Sequence, residues 1–190
     1  MSNWLITGLG NPGREYQNNR HNIGFMALDA LAEKFGSGGQ KNAFQSIVQP
    51  GSISGEQVIL QKPQTYMNLS GEAVGATARF FKIPVEKLIV LHDELEIAPS
   101  TIRIKQGGGH AGHNGLKSID QHFGNNYWRV RLGIGHPGDK NLVTPHVLGN
   151  FTAAELNWLN PLIESLVKNF TLVLEGKMNE FIKLMPKPEA

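Results

Sequence analysis

Apolar positions along this chain switch repeatedly between two periods. Trp4-Leu5-Ile6-Thr7 is a short apolar run that stops at Gly8-Leu9-Gly10-Asn11-Pro12-Gly13, as a buried strand does when it meets a turn. Phe25, Leu28, Leu31, Ala32 and Phe35 then fall at three- and four-residue spacings, which predicts a core-facing helix stopped by Gly36-Ser37-Gly38-Gly39. Residues 43–49 and 57–62 read as strands, and the turn-rich segment Pro50-Gly51-Ser52-Ile53-Ser54-Gly55 between them predicts a hairpin-like connection. Residues 69–81 read as a helix of small residues, 88–91 as a buried strand, and 101–105 as an alternating strand. A glycine-rich loop at 107–113 leads to a helix near 116–123, a strand at 129–133 and a long helix from about 153 to 174. A last short helix, 179–185, precedes Pro186 and Pro188. With no internal repeat and no low-complexity linker, the order defines an α/β class: one domain over residues 1–190, with a mixed β-sheet flanked by helices on both faces.

Composition narrows the classes. With 40% apolar and 18% charged residues the chain is neither disordered nor membranous in character, and no run reaches the roughly 18 apolar residues of a spanning helix. The opening Met1-Ser2-Asn3-Trp4 carries no basic region, apolar stretch or small-residue cleavage site, so no secretory signal is predicted. The absence of cysteine fits a reducing cytoplasm and removes thiol nucleophiles. A net charge of +2 does not demand a nucleic-acid partner unless the positive charges share a face. They do locally: alternation puts Arg103 and Lys105 opposite Ile102 and Ile104, and Arg129 and Arg131 opposite Val130 and Leu132.

Candidate chemistry gathers at the carboxyl ends of strands, where open α/β sheets place their sites. Asn11 to His21 follows the first strand, Tyr66-Met67-Asn68 the strand at 57–62, and His92-Asp93-Glu94 the buried strand, while His113-Asn114 closes the glycine-rich loop. No G-x-S-x-G elbow is present, so a histidine acting on water leads. A carboxylate such as Asp93 on one nitrogen of His21 would fix its tautomer and leave the other as a base. Gly8, Gly10 and Gly13 also spell the dinucleotide spacing G-x-G-x-x-G, but Pro12 and the polar residues 14–22 deny that motif the helix it needs. A zinc site built from His110-x-x-His113 with His92, Asp93 and His136 is a further reading, as is an RNA-binding module without catalysis.

Five motifs in order resemble the bacterial-type peptidyl-tRNA hydrolase family over essentially the whole chain. They are Gly8-Leu9-Gly10-Asn11-Pro12-Gly13 with Tyr16 and Arg20-His21-Asn22-Ile23-Gly24; Lys62-Pro63-Gln64-Thr65-Tyr66-Met67-Asn68-Leu69-Ser70-Gly71; His92-Asp93-Glu94; Gly107-Gly108-Gly109 through Gly112-His113-Asn114-Gly115; and Arg131-Leu132-Gly133-Ile134-Gly135-His136-Pro137. The resemblance implies hydrolysis of the ester joining a peptidyl group to the 3′-terminal ribose of tRNA, by a monomer without metal or organic cofactor. It implies His21 as general base oriented by Asp93, and Asn11, Asn68 and Asn114 as groups that bind the peptide-ester region and order the water. Met67 would wall the peptide groove and Tyr16 would contact it nearby. Lys105 and Arg131 match positions that clamp the tRNA 5′-phosphate, with Lys117 and Lys140 as weaker backbone contacts. The glycine-rich loop and Asn114 would supply oxyanion donors, although Ala111 stands where many members have glycine.

Overall fold

The computed structural model describes residues 3–187. Seven strands form one sheet: β1 (Trp4–Gly8), β2 (Lys41–Ala43), β3 (Ser46–Ile53), β4 (Glu56–Pro63), β5 (Leu88–Glu94), β6 (Ile102–Gln106) and β7 (Trp128–Gly133), in the order β2-β3-β4-β1-β5-β7-β6. The middle four, β4, β1, β5 and β7, run parallel, and antiparallel strands flank them on both sides. Central parallel strands are covered on both faces and need continuous apolar runs. Accordingly β5 is buried from Leu88 through Asp93, and each of its leucine, isoleucine and valine side chains contributes roughly 1.5–3 kcal/mol by leaving water.

Alternation sorts the core into two layers. Ile6, Ile89, Leu91, Val130 and Leu132 face α1 (Ile23–Phe35), α5 (Ala153–Asn169), α6 (Thr171–Leu174) and α7 (Met178–Lys183). Leu5, Leu88 and Val90 face α2 (Ser70–Phe80) and α3 (Asn114–Phe123) on the other side. The mixed sheet with helices on both faces is therefore as the periodicity predicts.

Boundaries move where local chemistry intervenes. The predicted hairpin exists, but β3 runs on through Pro50 and Gly51, and the turn is Ser54-Gly55, both in the left-handed region that a two-residue hairpin turn requires. Proline is tolerated there because β2 pairs only with residues 46–48, and Ser37, which reaches this edge beyond Val48, donates its N–H to the Pro50 carbonyl and asks for no N–H from Pro50. Strand β2 and the short helix α4 (Val143–Val147) carry too few residues to show a period, and both escape the sequence reading. The predicted helix at 153–174 breaks at Phe170, where the Asn169 carboxamide donates to the Ser165 carbonyl and competes with the last turn.

The strand end that matters is that of β1. The Leu9 N–H donates to the Leu91 carbonyl, and the Phe25 N–H donates to the Leu9 carbonyl. This seats the first turn of α1 directly on β1 and β5. Gly24 is required for that approach, since a Cβ there would run into Leu91 O and both main-chain polar atoms of Leu9. Because α1 begins only at Ile23, the glycines at 8, 10 and 13 lead into a single 3-10 turn, Arg14–Tyr16, and no α-helix, so the dinucleotide reading fails.

Candidate active site

His21 sits in a single 3-10 turn, Arg20–Asn22, immediately before α1. The turn is held from behind. The Arg20 N–H donates to the Gly149 carbonyl, and its guanidinium forms a two-point contact with Glu155 at 2.6 and 3.2 Å and donates to the His146 carbonyl. Glu155 also closes the capping box of α5 with Thr152, so the start of α5 anchors the turn that carries His21.

The His21 Nδ1 lies 2.7 Å from Asp93 Oδ2 at the end of β5, and His113 Nε2 lies 2.7 Å from the other oxygen, Oδ1. One carboxylate therefore holds two imidazoles, whose rings are 5.2 Å apart. The protons follow from the neighbours. His113 Nδ1 accepts from the Gly115 and Leu116 N–H groups as the N-cap of α3, so its proton is on Nε2 and points at Asp93. The His21 Nδ1–H donates to Asp93, which leaves Nε2 as an unprotonated base in the neutral ring.

Electrostatics agree with this assignment. Burial works against ionising Asp93, but the charges of His21 and His113 and the hydrogen bonds from both rings outweigh it and hold the carboxyl far below its usual range. Burial likewise opposes protonation of His21, yet the Asp93 charge and hydrogen bond together raise its pKa above the ordinary 6.5. His92 is neutral: burial first, and then the neighbouring His113, push it down to about 3. Its Nδ1 donates to the Asp93 carbonyl and its Nε2 is buried without a partner.

An open cleft of about 1000 Å³ spreads from this cluster. Its walls include the glycine loop 107–113, Lys105, Arg131 and Val147 of α4. Lys105 is exposed and folds over Gly108, whose left-handed φ of 99° and missing Cβ admit the lysine amine. Arg131 is partly exposed and held by Glu94, at 3.0 Å from both Nε and Nη2. Cross-strand register sets Arg103 opposite Arg131 and Lys105 opposite Arg129, so the basic sheet face is present. Arg129 departs from the expected exposed position. It is 2% exposed, donates to the Gly108 and Gly109 carbonyls and lies over the Tyr127 ring, so it fastens the glycine loop to β7.

The other predicted residues divide into buried and open. Asn11 is buried, and its Oδ1 accepts from the Met67 N–H at 2.7 Å. Met67 packs in the core beside Leu9, Leu116 and Gly115, more a floor than an exposed wall. Asn68, Asn114 and Tyr16 make no side-chain hydrogen bond among the described residues, and both carboxamide residues are exposed. At the start of α3 the Gly115, Leu116 and Lys117 N–H groups are all bonded to His113. Those of Gly112 and His113 are bonded to His110, which leaves the Asn114 N–H open among the described residues. Ala111 adopts φ 49°, the left-handed conformation that glycine takes without penalty and an alanine only with strain.

The predicted zinc quintet is not assembled. His110 and His136 each accept from a backbone N–H two residues on, at Gly112 and Gly138. Among the described residues the group with converging ligand atoms is His21, Asp93 and His113, within 4.8 Å of one another. Two imidazoles and a carboxylate suit zinc chemically, but here each Asp93 oxygen faces a different ring at hydrogen-bond distance. His113 is the residue the sequence reading undervalued. The sequence reading places it in the glycine-rich loop and in the zinc set, but its position three residues before the predicted helix, where a histidine side chain can cap, is the signal for the role it has here.

An oriented imidazole, open carboxamides and an N–H at a helix start stand together at the carboxyl edge of a mixed α/β sheet, an arrangement compatible with hydrolysis of an ester by a histidine-activated water. The comparisons give the family. The model of the family described as peptidyl-tRNA hydrolase matches residues 5–189, and the chain belongs to that family. It is 54% identical over 173 residues to the peptidyl-tRNA hydrolase of Bartonella quintana, covering 91% of this chain and 90% of the relative. Against that of Rhodospirillum centenum it is 50% identical over 187 residues, covering 97% and 82%. The crystal structure of peptidyl-tRNA hydrolase from Acinetobacter baumannii superposes with a TM-score of 0.89 at 41% identity, covering 97% of this chain and 95% of that one. The protein is an ester hydrolase acting on peptidyl-tRNA. No helix among the described residues is long and apolar enough to cross a membrane.

Proposed function

We propose that His21 is the general base of this hydrolysis and that Asp93 orients it. The observation that carries the reading is the 2.7 Å contact between His21 Nδ1 and Asp93 Oδ2, which leaves Nε2 free on a ring that lines the cleft. A water placed at Nε2 gives up its proton as its oxygen attacks the ester carbonyl. The tetrahedral oxyanion then collapses, the bond to the 3′-ribose oxygen breaks, and the proton held by the imidazolium passes to that oxygen. The products are free tRNA and a peptide carboxylic acid, which releases its proton to solvent as it leaves. Asp93 stabilises the transient imidazolium, and its own depressed pKa keeps it ionised throughout. A positioned base contributes typically ~10²–10⁴-fold.

Asn11, Asn68 and Asn114 hold the peptidyl ester and the water, as donors and acceptors that do not compete for the proton. The Asn114 N–H and carboxamide are the oxyanion donors this reading favours, because the neighbouring N–H groups are already bonded. Tyr16 and Met67 border the peptide groove. Lys105 and Arg131, on the same cleft, take the 5′-phosphate of the acceptor end, with Lys140 beside them and Lys117 on α3. Such contacts position RNA without reading sequence, so many tRNAs are accepted. On this reading the enzyme acts as a cytoplasmic monomer, a compartment that suits a chain without cysteine.

The test is hydrolysis of an N-blocked aminoacyl-tRNA in EDTA, with His21→Ala alongside. Turnover in wild type that is lost in a folded, tRNA-binding variant is the expected result. Near-wild-type hydrolysis by the variant rejects His21 as base, and activity abolished by EDTA revives the metal reading at His21, Asp93 and His113.

A further inference from the structure

We infer that Asn22 is a positioning residue that fixes the Asn11 carboxamide for the reaction, an inference that rests on the role of Asn11 given above. Asn22 is the N-cap residue of α1, a place where asparagine ordinarily accepts from the N–H of the second or third helical residue. Here its side chain makes no such bond. It is 1% exposed, and both of its polar atoms go to one residue: Asn22 Oδ1 accepts from the Asn11 N–H, and Asn22 Nδ2 donates to the Asn11 carbonyl, each at 2.9 Å.

The side chain thus imitates the paired bonds of an antiparallel strand, and it ties the loop after β1 to the turn that carries His21. The consequence falls on the far side of Asn11. With its main chain held by Asn22 and its Oδ1 occupied by the Met67 N–H, Asn11 has one polar group left without a partner among the described residues, its Nδ2. Asn11 is therefore presented as a donor, with its acceptor end turned away from substrate. Asn22 and Met67 together decide that orientation.

The experiment is a double-mutant cycle on kcat and KM for N-blocked aminoacyl-tRNA, using Asn22→Ser, Asn11→Ala and the double variant. Serine is small, polar and uncharged, and it is too short to reach both Asn11 groups. The expected result is a loss of about tenfold or more in kcat/KM, mainly in kcat, for Asn22→Ser in the wild-type background, and less than twofold in the Asn11→Ala background. The pH limb belonging to His21 stays in place, because its pair with Asp93 is untouched. Equal losses in both backgrounds, or a displaced limb, overturn the inference while leaving the role of Asn11 standing. An Asn11→Ala variant as active as wild type removes both. Should Asn22→Ser fail to fold, Asn22→Thr, likewise uncharged and too short for both Asn11 groups, enters the same cycle with the same outcomes.

Discussion

Replacing Asp93 by asparagine should cost about 10²–10³-fold in kcat/KM, chiefly by putting the His21 proton on the wrong nitrogen. An amide has one acceptor and one donor end, whereas the two imidazoles both donate to the carboxylate. If the new amide turned its oxygen to His21, its NH₂ would face His113 Nε2, and His113 would have to move its proton to Nδ1. That nitrogen already accepts from the Gly115 and Leu116 N–H groups. The move would cost about 1 kcal/mol for the lost cap and a similar amount for opposed donors, about 2 kcal/mol together. The opposite orientation costs only a tautomer change in His21, and it blocks the base. A bias of about 2 kcal/mol leaves the competent arrangement at roughly one part in thirty. Losing the charge-assisted bond to the imidazolium takes a further ~1–2 kcal/mol. The assay is single-turnover hydrolysis of N-blocked aminoacyl-tRNA, with a second variant as control. Asp93→Asn combined with His113→Asn keeps an N-cap on α3 but removes the ring that dictates the orientation, and it should be about tenfold more active than Asp93→Asn alone. The reasoning is refuted if Asp93→Asn stays within about fivefold of wild type, or if the second substitution lowers activity further.

The remaining expectations concern charge. Because Asp93 raises the His21 pKa, kcat/KM should climb with pH through an apparent pKa above 6.5, as the base loses its proton. In Asp93→Asn only burial remains, so the residual limb should shift to lower pH, and an unmoved limb would assign it to another group. Lys105→Ala and Arg131→Ala should each weaken tRNA binding and reduce the magnitude of the log–log salt slope by about one. Measured by filter binding across a salt series, unchanged slopes would dismiss the clamp.

The fold was legible wherever burial imposed a period. Strands β1 and β5 announce themselves as apolar runs, α1 by its three- and four-residue spacing, and β6 and β7 by strict alternation. The boundaries that moved are those decided by something other than burial. Pro50 and Gly51 signal a turn, yet they stand in β3, because β2 stops short of them and Ser37 bonds the Pro50 carbonyl without needing its N–H. Residues 153–174 share one apolar stripe, but a single carboxamide at Asn169 splits the helix. Phe44 and Gln45 both occupy the left-handed region at the β2–β3 turn, where Asn-Gly would be expected, so no turn signal marked β2.

The site was legible in its residue types but not in its pairings, and the reason lies in the layers. Asp93 ends the most buried strand, at the rim where the sheet stops separating its two faces. His21 comes to it with α1, whose Ile23, Ala27, Leu28 and Leu31 pack on one face. His113 comes with α3, whose Leu116 and Ile119 pack on the other. Contacts within a layer leave a period in the sequence, but a contact between layers across a strand end leaves none. Two histidines separated by every element from α1 to β6 therefore share one carboxylate without a spacing that could reveal it. The same geometry explains why a buried charge is tolerated there. Asp93 is 3% exposed, and a lone carboxylate so placed would take up a proton. Two donors, delivered by independent helices, keep it ionised, and its charge in turn fixes the tautomer of both rings. The packing of each helix on the sheet is thereby coupled to the protonation of the base. A substitution that shifts α3 by a fraction of an ångström would reach His21 through Asp93, without touching the substrate.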